Sequence, residues 1–222
     1  MTNKRYLKKV PVACMLRSPF IVLLFLFCLA GCDKILNRNG IDTSQLPAQA
    51  VLTHLPCDSA AVLWMQAFGN VDHGGGNAFF HDGIDFGTQP DGAFFSSADG
   101  HVTQVELNTG KGWPGTNYRI TIQVARNVSL DYHFEIGGDA PEAQRRNNIF
   151  IAVGDKVEAG QHIGNLIVVT PDVAHVHWGI YEDGEADNCP LDYFTEDVAQ
   201  SFEKLYDSGI EKRPSSRPDL CE

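Results

Sequence analysis

The sequence predicts a mostly antiparallel β domain that ends in one short helix. Between about residues 51 and 193, short apolar runs rich in Val, Ile, Phe and Tyr alternate with clusters of Gly, Asn and Asp, a pattern typical of strands and turns. The candidate strands are residues 83–86, 92–96, 100–107, 118–125, 129–135, 161–167 and 175–181. A helical stretch follows at residues 193–206, where Thr195 suits the N-cap and Glu196 and Asp197 suit the first turn.

Length and composition fit one exported globular domain. The chain has 222 residues, of which 43% are hydrophobic and 20% are charged. The formal net charge is −11, and the first 31 residues hold five basic and no acidic residues, so the remainder carries −16. A surface this acidic repels phosphate backbones, which argues against nucleic-acid binding. It also repels anionic membrane surfaces, so membrane attachment needs something other than a basic patch.

The N-terminus predicts export. A basic segment precedes an apolar run at residues 20–30, which is too short to span a bilayer and therefore fits a signal sequence. Residues 29–32 (Leu-Ala-Gly-Cys) resemble the lipobox of bacterial lipoproteins, in which the Cys is acylated. The resemblance implies a signal peptide over residues 1–31 and a lipid anchor to the membrane at Cys32.

An ordinary secretory cleavage near Ala30, with Cys32 incidental, is the alternative. Asp33 follows the Cys, and in enteric-type bacteria this resembles the signal for retention in the inner membrane. We therefore expect a protein of the bacterial cell envelope, anchored by lipid and facing the periplasm.

The rest of the chain divides into a tether (residues 32–50), a folded domain (51–209) and a tail (210–222). Three cysteines, Cys57, Cys189 and Cys221, lie in the predicted mature part, and sequence alone allows any of three pairings. We favour Cys189–Cys221, because the tail holds too little apolar surface to dock by burial alone. No CxxC pair is present, so a thiolate zinc site is not indicated.

Four of the eight histidines fall in three short phrases, which are His81-Asp-Gly-Ile-Asp85, Asp131-Tyr-His133 and His175-Val-His177. In a strand, residues i and i+2 point to the same face, so His175 and His177 emerge side by side. Two such imidazoles suit a metal, or a metal ligand beside a general base. Gly83 would let the chain bend so that His81 and Asp85 converge. The joint occurrence and order of the phrases, rather than any one of them, predict a metal site.

The sequence around these phrases resembles the M23 peptidase family, also called LytM or lysostaphin-like. The family's HxGxDF phrase stands at residues 81–86, and its Tyr-x-His phrase is matched one residue tighter at residues 132–133. Its Gly-Asp-x-Val-x-x-Gly-Gln-x-Ile-Gly segment stands at residues 154–164, and the resemblance covers about residues 78–194. It implies an antiparallel β-sheet or sandwich of the LytM (duplicated hybrid motif) type.

The resemblance also implies a zinc metalloendopeptidase that cuts peptide cross-links of bacterial peptidoglycan. His81, Asp85 and His177 would ligate Zn²⁺ and leave a fourth position for water, whose pKa the ion lowers to about 7. No HExxH phrase supplies a glutamate base. His133 and His175 would therefore share acid–base work and oxyanion stabilisation, and the residues alone do not say which does which.

Two other functions stay open. The family leads into its HxH phrase with a Gly-rich segment, whereas residues 165–174 contain no Gly, which leaves room for a metalloprotease with a protein or peptide substrate. The second alternative is a non-catalytic LytM-type regulator whose partner is a cell-wall amidase. Such regulators usually lack several metal residues, whereas all five positions are present here.

Several further residues have a simpler interpretation. Glu135 shares a face with His133 and is expected to be a solvated edge carboxylate, with a role in orienting the site as the alternative. The insert at residues 138–149 is a candidate rim of the cleft. Structural, packing or surface roles are expected for the rest, which are His73, His101, His162, Trp113 and Tyr118.

Overall fold

A computed structural model describes residues 42–74, 76, 78–107, 116–213 and 219–221. The predicted signal peptide, Cys32, Asp33 and Trp113 lie outside these described residues. Within them, no helix is long and apolar enough to cross a membrane.

Most of the described chain is strand. The strands are β1 (Val62–Gln66), β2 (Gly69–Asp72), β3 (Ala78–His81), β4 (Ile84–Thr88), β5 (Ala93–Phe95), β6 (Gly100–Glu106), β7 (Tyr118–Gln123), β8 (Val128–Glu135), β9 (Lys156–Val157), β10 (His162–Asn165), β11 (His175–Glu182) and β12 (Glu211–Arg213). Eight of them form one sheet in the order β12-β1-β4-β11-β8-β7-β6-β9, in which every pair is antiparallel except β1–β12. The predicted mostly antiparallel β fold is confirmed.

All seven predicted strands are present with small shifts at their ends, and five others were not predicted. β1 is buried at four of its five positions, so it lacks the polar–apolar alternation that marks a half-buried strand. β12 has the sequence Glu-Lys-Arg and gives no apolar signal at all. The predicted C-terminal helix is present as α2 (Glu196–Asp207), with Thr195 as its extended N-cap residue as predicted, and a separate 3₁₀ turn at Pro190–Tyr193 precedes it. A short helix, α1 (Glu142–Asn147), forms inside the predicted rim insert.

The two faces of the large sheet differ in chemistry. Along β11, Val176 and Trp178 are fully buried, whereas His175 and His177 on the opposite face are only partly buried. Helix α2 covers the apolar face, where its Phe202 contacts Trp178 and Phe86. The two-stranded β5–β10 ribbon lies against the same core. The other face is therefore left to the polar side chains that form the site.

Both ends of the described chain contact the domain. In the predicted tether, Leu46 is buried, and the carbonyl of Pro47 accepts a hydrogen bond of 3.0 Å from the backbone N–H of Arg126. At the other end, a disulfide joins Cys189 and Cys221, with their Cα atoms 5.7 Å apart, as the sequence favoured. Tyr118, for which core packing was expected, is buried and stacks on Phe134 with ring centroids 4.4 Å apart.

The disulfide generates the first prediction. Replacing Cys189 and Cys221 together by Ser should lower the free energy of unfolding by about 3–4 kcal/mol, because the bridge closes a loop with a sequence separation of 32. Urea unfolding followed by tryptophan fluorescence measures this loss. Cys57→Ala is the control, since Cys57 is buried but forms no disulfide. An unfolding midpoint that is equal for the double variant and the wild type would contradict the prediction.

Candidate metal and catalytic site

One transverse row of side chains crosses the polar face of the sheet. The cross-strand partners in this row are, from β12 to β7, Arg213, Gln66, Asp85, His177, His133 and Arg119. Directly paired residues of antiparallel strands project to the same face, a few ångströms apart. Strand register thus assembles residues from distant parts of the sequence, and it places three of the five predicted site residues side by side.

His81 joins this row from the end of β3 and completes the predicted ligand set. His81 Nε2 lies 3.1 Å from Asp85 Oδ1 and 3.1 Å from His177 Nδ1, and the last two atoms are 2.9 Å apart. Within the described ranges, these are the side chains found to group as three potential metal ligands. The His81 and Asp85 side chains are each 7% exposed, so the cluster is enclosed on the protein side.

Hydrogen bonds orient two of the ligands. His81 Nδ1 donates to the carbonyl of Ala67 at 2.7 Å, which fixes the tautomer and leaves Nε2 with its lone pair toward Asp85. His177 Nε2 lies 3.3 Å from Asp82 Oδ1, and the hydroxyl of Tyr181 donates to Asp82 Oδ2 at 3.1 Å. Such a carboxylate behind a histidine ligand raises its basicity and fixes the ring. Asp82 lies inside the first phrase, but sequence could not show that it contacts the distant His177.

Gly83 lies at a bend between β3 and β4, as predicted, and it also meets a second requirement. A Cβ added at Gly83 would lie 2.7 Å from the His177 ring and 2.7 Å from the carbonyl of Trp178. A residue with a side chain would collide with β11 at this position, so Gly83 allows the close approach of β11 in addition to the bend.

His175, the first residue of the HxH phrase, is held beside the ligands. Its Nδ1 donates to the carbonyl of Val173 at 2.7 Å, and its ring lies against Trp64 with centroids 5.5 Å apart. Trp64 reaches it by crossing Gly87, where a Cβ would lie 2.0 Å from the indole. The guanidinium of Arg213 covers the Trp64 ring at 4.0 Å.

Glu135 lies between the two predicted catalytic histidines. Its Oε1 is 3.4 Å from His133 Nδ1 and its Oε2 is 3.7 Å from His175 Nε2, and its side chain is 18% exposed. The expectation of a solvated edge carboxylate is therefore wrong: the in-register pairing of β8 with β11 turns Glu135 toward His175.

The protonation of the ligand cluster follows from its carboxylates. Burial lowers the pKa of His177, but hydrogen bonds with Asp82 and Asp85 outweigh burial and raise it to about 10. The hydrogen bond from His177 lowers the pKa of Asp82 to about 2. Burial raises the pKa of Asp85, yet the surrounding imidazoles, His175 first, hold it well below its usual value. A proton on His177 thus offsets part of the negative charge of Asp82 and Asp85.

The donor set fits zinc. Tetrahedral zinc sites with bonds of about 2.0–2.1 Å place their ligand atoms about 3.3 Å apart, close to the separations of 2.9 to 3.1 Å seen here. Two imidazole nitrogens and one carboxylate oxygen are also the ligands of a zinc site that keeps a position open for chemistry.

The cluster lines a cleft of about 800 Å³. His73 also lines it, stacked on Phe79 with centroids 5.8 Å apart, so it belongs to the rim rather than to an unrelated surface. Asp172 and Val173, from the segment that leads into the HxH phrase, border the cleft as well. His101 and His162 lie outside the cleft, as expected.

The predicted rim role of the insert at residues 138–149 is wrong, because none of its residues lines the cleft. Its Arg145 is instead buried, and the guanidinium donates to the backbone carbonyls of Leu107 and Ala140. The insert therefore packs on the domain through a buried cation that backbone oxygens satisfy.

The close contact between Gly83 and the His177 ring predicts that a larger residue at position 83 weakens metal binding. Gly83→Ala should weaken zinc affinity at least about tenfold, because the new methyl must displace the His177 ring. Competition with a chromophoric chelator measures the affinity. Gly164→Ala is the matched control, since its Cβ would lie 2.8 Å from a carbonyl remote from the cluster, that of Asn148. Equal zinc affinity in the two variants would contradict the prediction.

Asp82 provides a second test of the metal centre. Asp82→Asn should reduce zinc affinity about 10- to 100-fold, because the amide removes the negative charge behind His177. Tyr181→Phe removes only the hydroxyl that donates to Asp82, so its effect should be smaller. The same chelator titration ranks the three proteins, and a wild-type affinity for Asp82→Asn would show that this contact does not support the metal.

No protein-family model and no curated protein sequence matches this chain. Among solved structures, Helicobacter pylori Csd3 is similar with a TM-score of 0.44 and 21% identity, over 78% of this chain and 45% of that one. The catalytic domain of a mutant of the prophage-encoded M23 protein EnpA from Enterococcus faecalis gives 0.45 and 23%, over 62% and 93%. The catalytic domain of the antimicrobial peptidase lysostaphin from Staphylococcus simulans gives 0.42 and 18%, over 57% and 87%. This chain thus spans less than half the length of Csd3.

Proposed function

We propose that this protein is a zinc metalloendopeptidase of the M23 type that hydrolyses peptide cross-links of bacterial peptidoglycan. One observation carries the proposal: a three-residue ligand cluster and two further histidines converge on the same open cleft. A purely structural metal site would have four protein ligands and no neighbouring acid–base groups.

His81, Asp85 and His177 would hold the metal. When bound, zinc would supply Lewis acidity toward the scissile carbonyl and lower the pKa of an attacking water. Asp85 holds the cluster together, because its Oδ1 lies within 3.1 Å of both imidazole ligands and its Oδ2 lies 3.6 Å from His175.

His133 is suited to accept a proton from the attacking water. Glu135 faces Nδ1 of His133, which favours the tautomer with its proton on Nδ1 and its basic lone pair on Nε2. Burial and the charges of His177 and Arg119 lower the pKa of His133 to about 4, so the ring is neutral at physiological pH. A neutral imidazole is the form that a general base requires.

His175 is suited to the complementary role of donor. Its Nδ1 donates to the carbonyl of Val173, and its Nε2 faces the carboxylates of Asp85 and Glu135 at 3.6 and 3.7 Å. Each ring nitrogen of His175 therefore faces an oxygen atom that can accept a hydrogen bond. Such a ring can stabilise the oxyanion of the tetrahedral intermediate and protonate the leaving amine.

Export supports the choice of substrate. The predicted signal peptide and the lipid anchor at Cys32 would bring the domain to the periplasmic side of the envelope, beside peptidoglycan. The cleft is an open groove bordered by the exposed ring of Phe79, which suits an extended peptide strand better than a small enclosed ligand.

Single-site variants separate metal binding from catalysis. His177→Ala should lose zinc and all turnover. His133→Ala and His175→Ala should each keep zinc but lose at least about 100-fold in rate, since they remove proton transfer and oxyanion stabilisation. Metal analysis, together with chromatography of fragments released from purified sacculi, measures both properties.

The controls decide between this function and its alternatives. His101→Ala, a half-buried histidine remote from the cleft, should leave zinc content and rate unchanged. If zinc-loaded wild type leaves sacculi intact but stimulates a cell-wall amidase, the protein is a regulator. If it cleaves unrelated peptides and not sacculi, it is a protease of different substrate class.

A further inference from the structure

The row of site residues ends on β7 at Arg119, the direct cross-strand partner of His133. Arg119 lines the same cleft as the metal cluster, and its side chain is 36% exposed. The residue is therefore anchored in the sheet beside the proposed general base and accessible to a bound ligand.

A buried carboxylate holds the Nε side of the Arg119 guanidinium. Arg119 Nε donates to Asp131 Oδ1 at 2.6 Å, and the hydroxyl of Thr121 donates to the same oxygen at 3.0 Å. The Asp131 side chain is 3% exposed, so the pair is rigid and partly desolvated. This contact uses Nε, and among the described residues no hydrogen bond to either Nη group is found. The edge of the guanidinium that carries the Nη groups can bind a carboxylate through two parallel hydrogen bonds.

The second arginine of the cleft, Arg213, forms hydrogen bonds through both Nε and Nη1. Arg213 donates from Nε to Glu211 at 2.7 Å and from Nη1 to the carbonyl of Asp172 at 2.7 Å, and it covers the ring of Trp64. Its role is to support the wall around His175. Of the described residues that line the cleft, Arg119 and Arg213 are the only Lys or Arg side chains. Of the two arginines, Arg119 is therefore the one whose Nη edge is left for a ligand.

We propose that Arg119 binds a free carboxylate of the substrate peptide and thereby selects cross-links that carry one near the scissile amide. The inference rests on the proposed function, since it names a specificity determinant of the same cleft. β7 is two strands from the metal-ligating β11, a distance of about 10 Å at the usual strand spacing. An extended peptide covers that distance in about three residues, so the carboxylate lies within about three residues of the cleaved bond.

The test uses pairs of synthetic peptides that differ only in a free carboxylate or the corresponding carboxamide. Zinc-loaded wild type should cleave the carboxylate peptide with a kcat/KM about 10- to 100-fold higher, as expected for a charge-assisted bidentate contact. Arg119→Gln should reduce this preference to less than about threefold, where the preference is the ratio of the two kcat/KM values measured on the same variant, so that a change in the reactivity of His133 affects both peptides alike. Arg119→Lys should retain part of the preference, because it keeps the charge without the fork.

Controls keep a folding defect from imitating specificity. Arg126→Gln changes an exposed arginine outside the cleft and should keep the full preference, and thermal melting checks that each variant is folded. If Arg119→Gln fails to fold, the rates at which the wild type cleaves the two peptides still test whether the cleft prefers a carboxylate. Equal cleavage of both peptides by the wild type would overturn the proposal.

A binding measurement separates this proposal from the proposed function. Calorimetry with the metal-free protein should show that carboxylate peptides bind at least about tenfold tighter than carboxamides, and that Arg119→Gln abolishes the difference. If no peptide is cleaved but this difference is present, the carboxylate site stands and the peptidase assignment fails. Cleavage without any carboxylate preference, in rate or in binding, leaves the peptidase and removes the role of Arg119.

Discussion

The site depends on one constraint, the in-register antiparallel pairing of β4, β11, β8 and β7. This pairing sets Asp85, His177, His133 and Arg119 side by side on one face of the sheet. Because side chains alternate along each strand, a slip of one residue would turn the site residues of that strand into the core. Large aromatic side chains on the other face are completely buried, so the hydrophobic core fixes the register that the chemistry needs; they include Trp178, Tyr132 and Phe134.

The core and the site are therefore two faces of the same strands. Phe202 of α2 packs on Trp178, and Trp178 directly follows the candidate ligand His177 in sequence. Helix α2 lies on the face opposite the site, yet it helps to hold β11 in place. A short helix at the end of the domain thus contributes to the position of His177 on the far side of the sheet.

The polar face is held by paired charges rather than by burial of apolar surface. Asp82 supports His177, Glu135 lies between His133 and His175, and Asp131 holds Arg119. Each carboxylate has a cationic or imidazole partner, which offsets the cost of removing it from water. This pairing also explains how a strongly acidic chain can keep several carboxylates within one cleft.

The sequence by itself determined the strand-rich fold, the alternation that places His175 beside His177, and the five histidine and aspartate residues that were predicted as the site and that all line the cleft. Those features are local, since they follow from period-two patterning and from short phrases. Only the tertiary structure decided that Asp82 supports His177, that Glu135 faces His175, and that Gly83 makes room for an imidazole. It also decided that the charged strand β12 forms one edge of the sheet and places Arg213 over the indole ring of Trp64 in β1. These contacts join residues that are distant in sequence, and they arise from strand register and from the disulfide-linked tail, which no local pattern encodes.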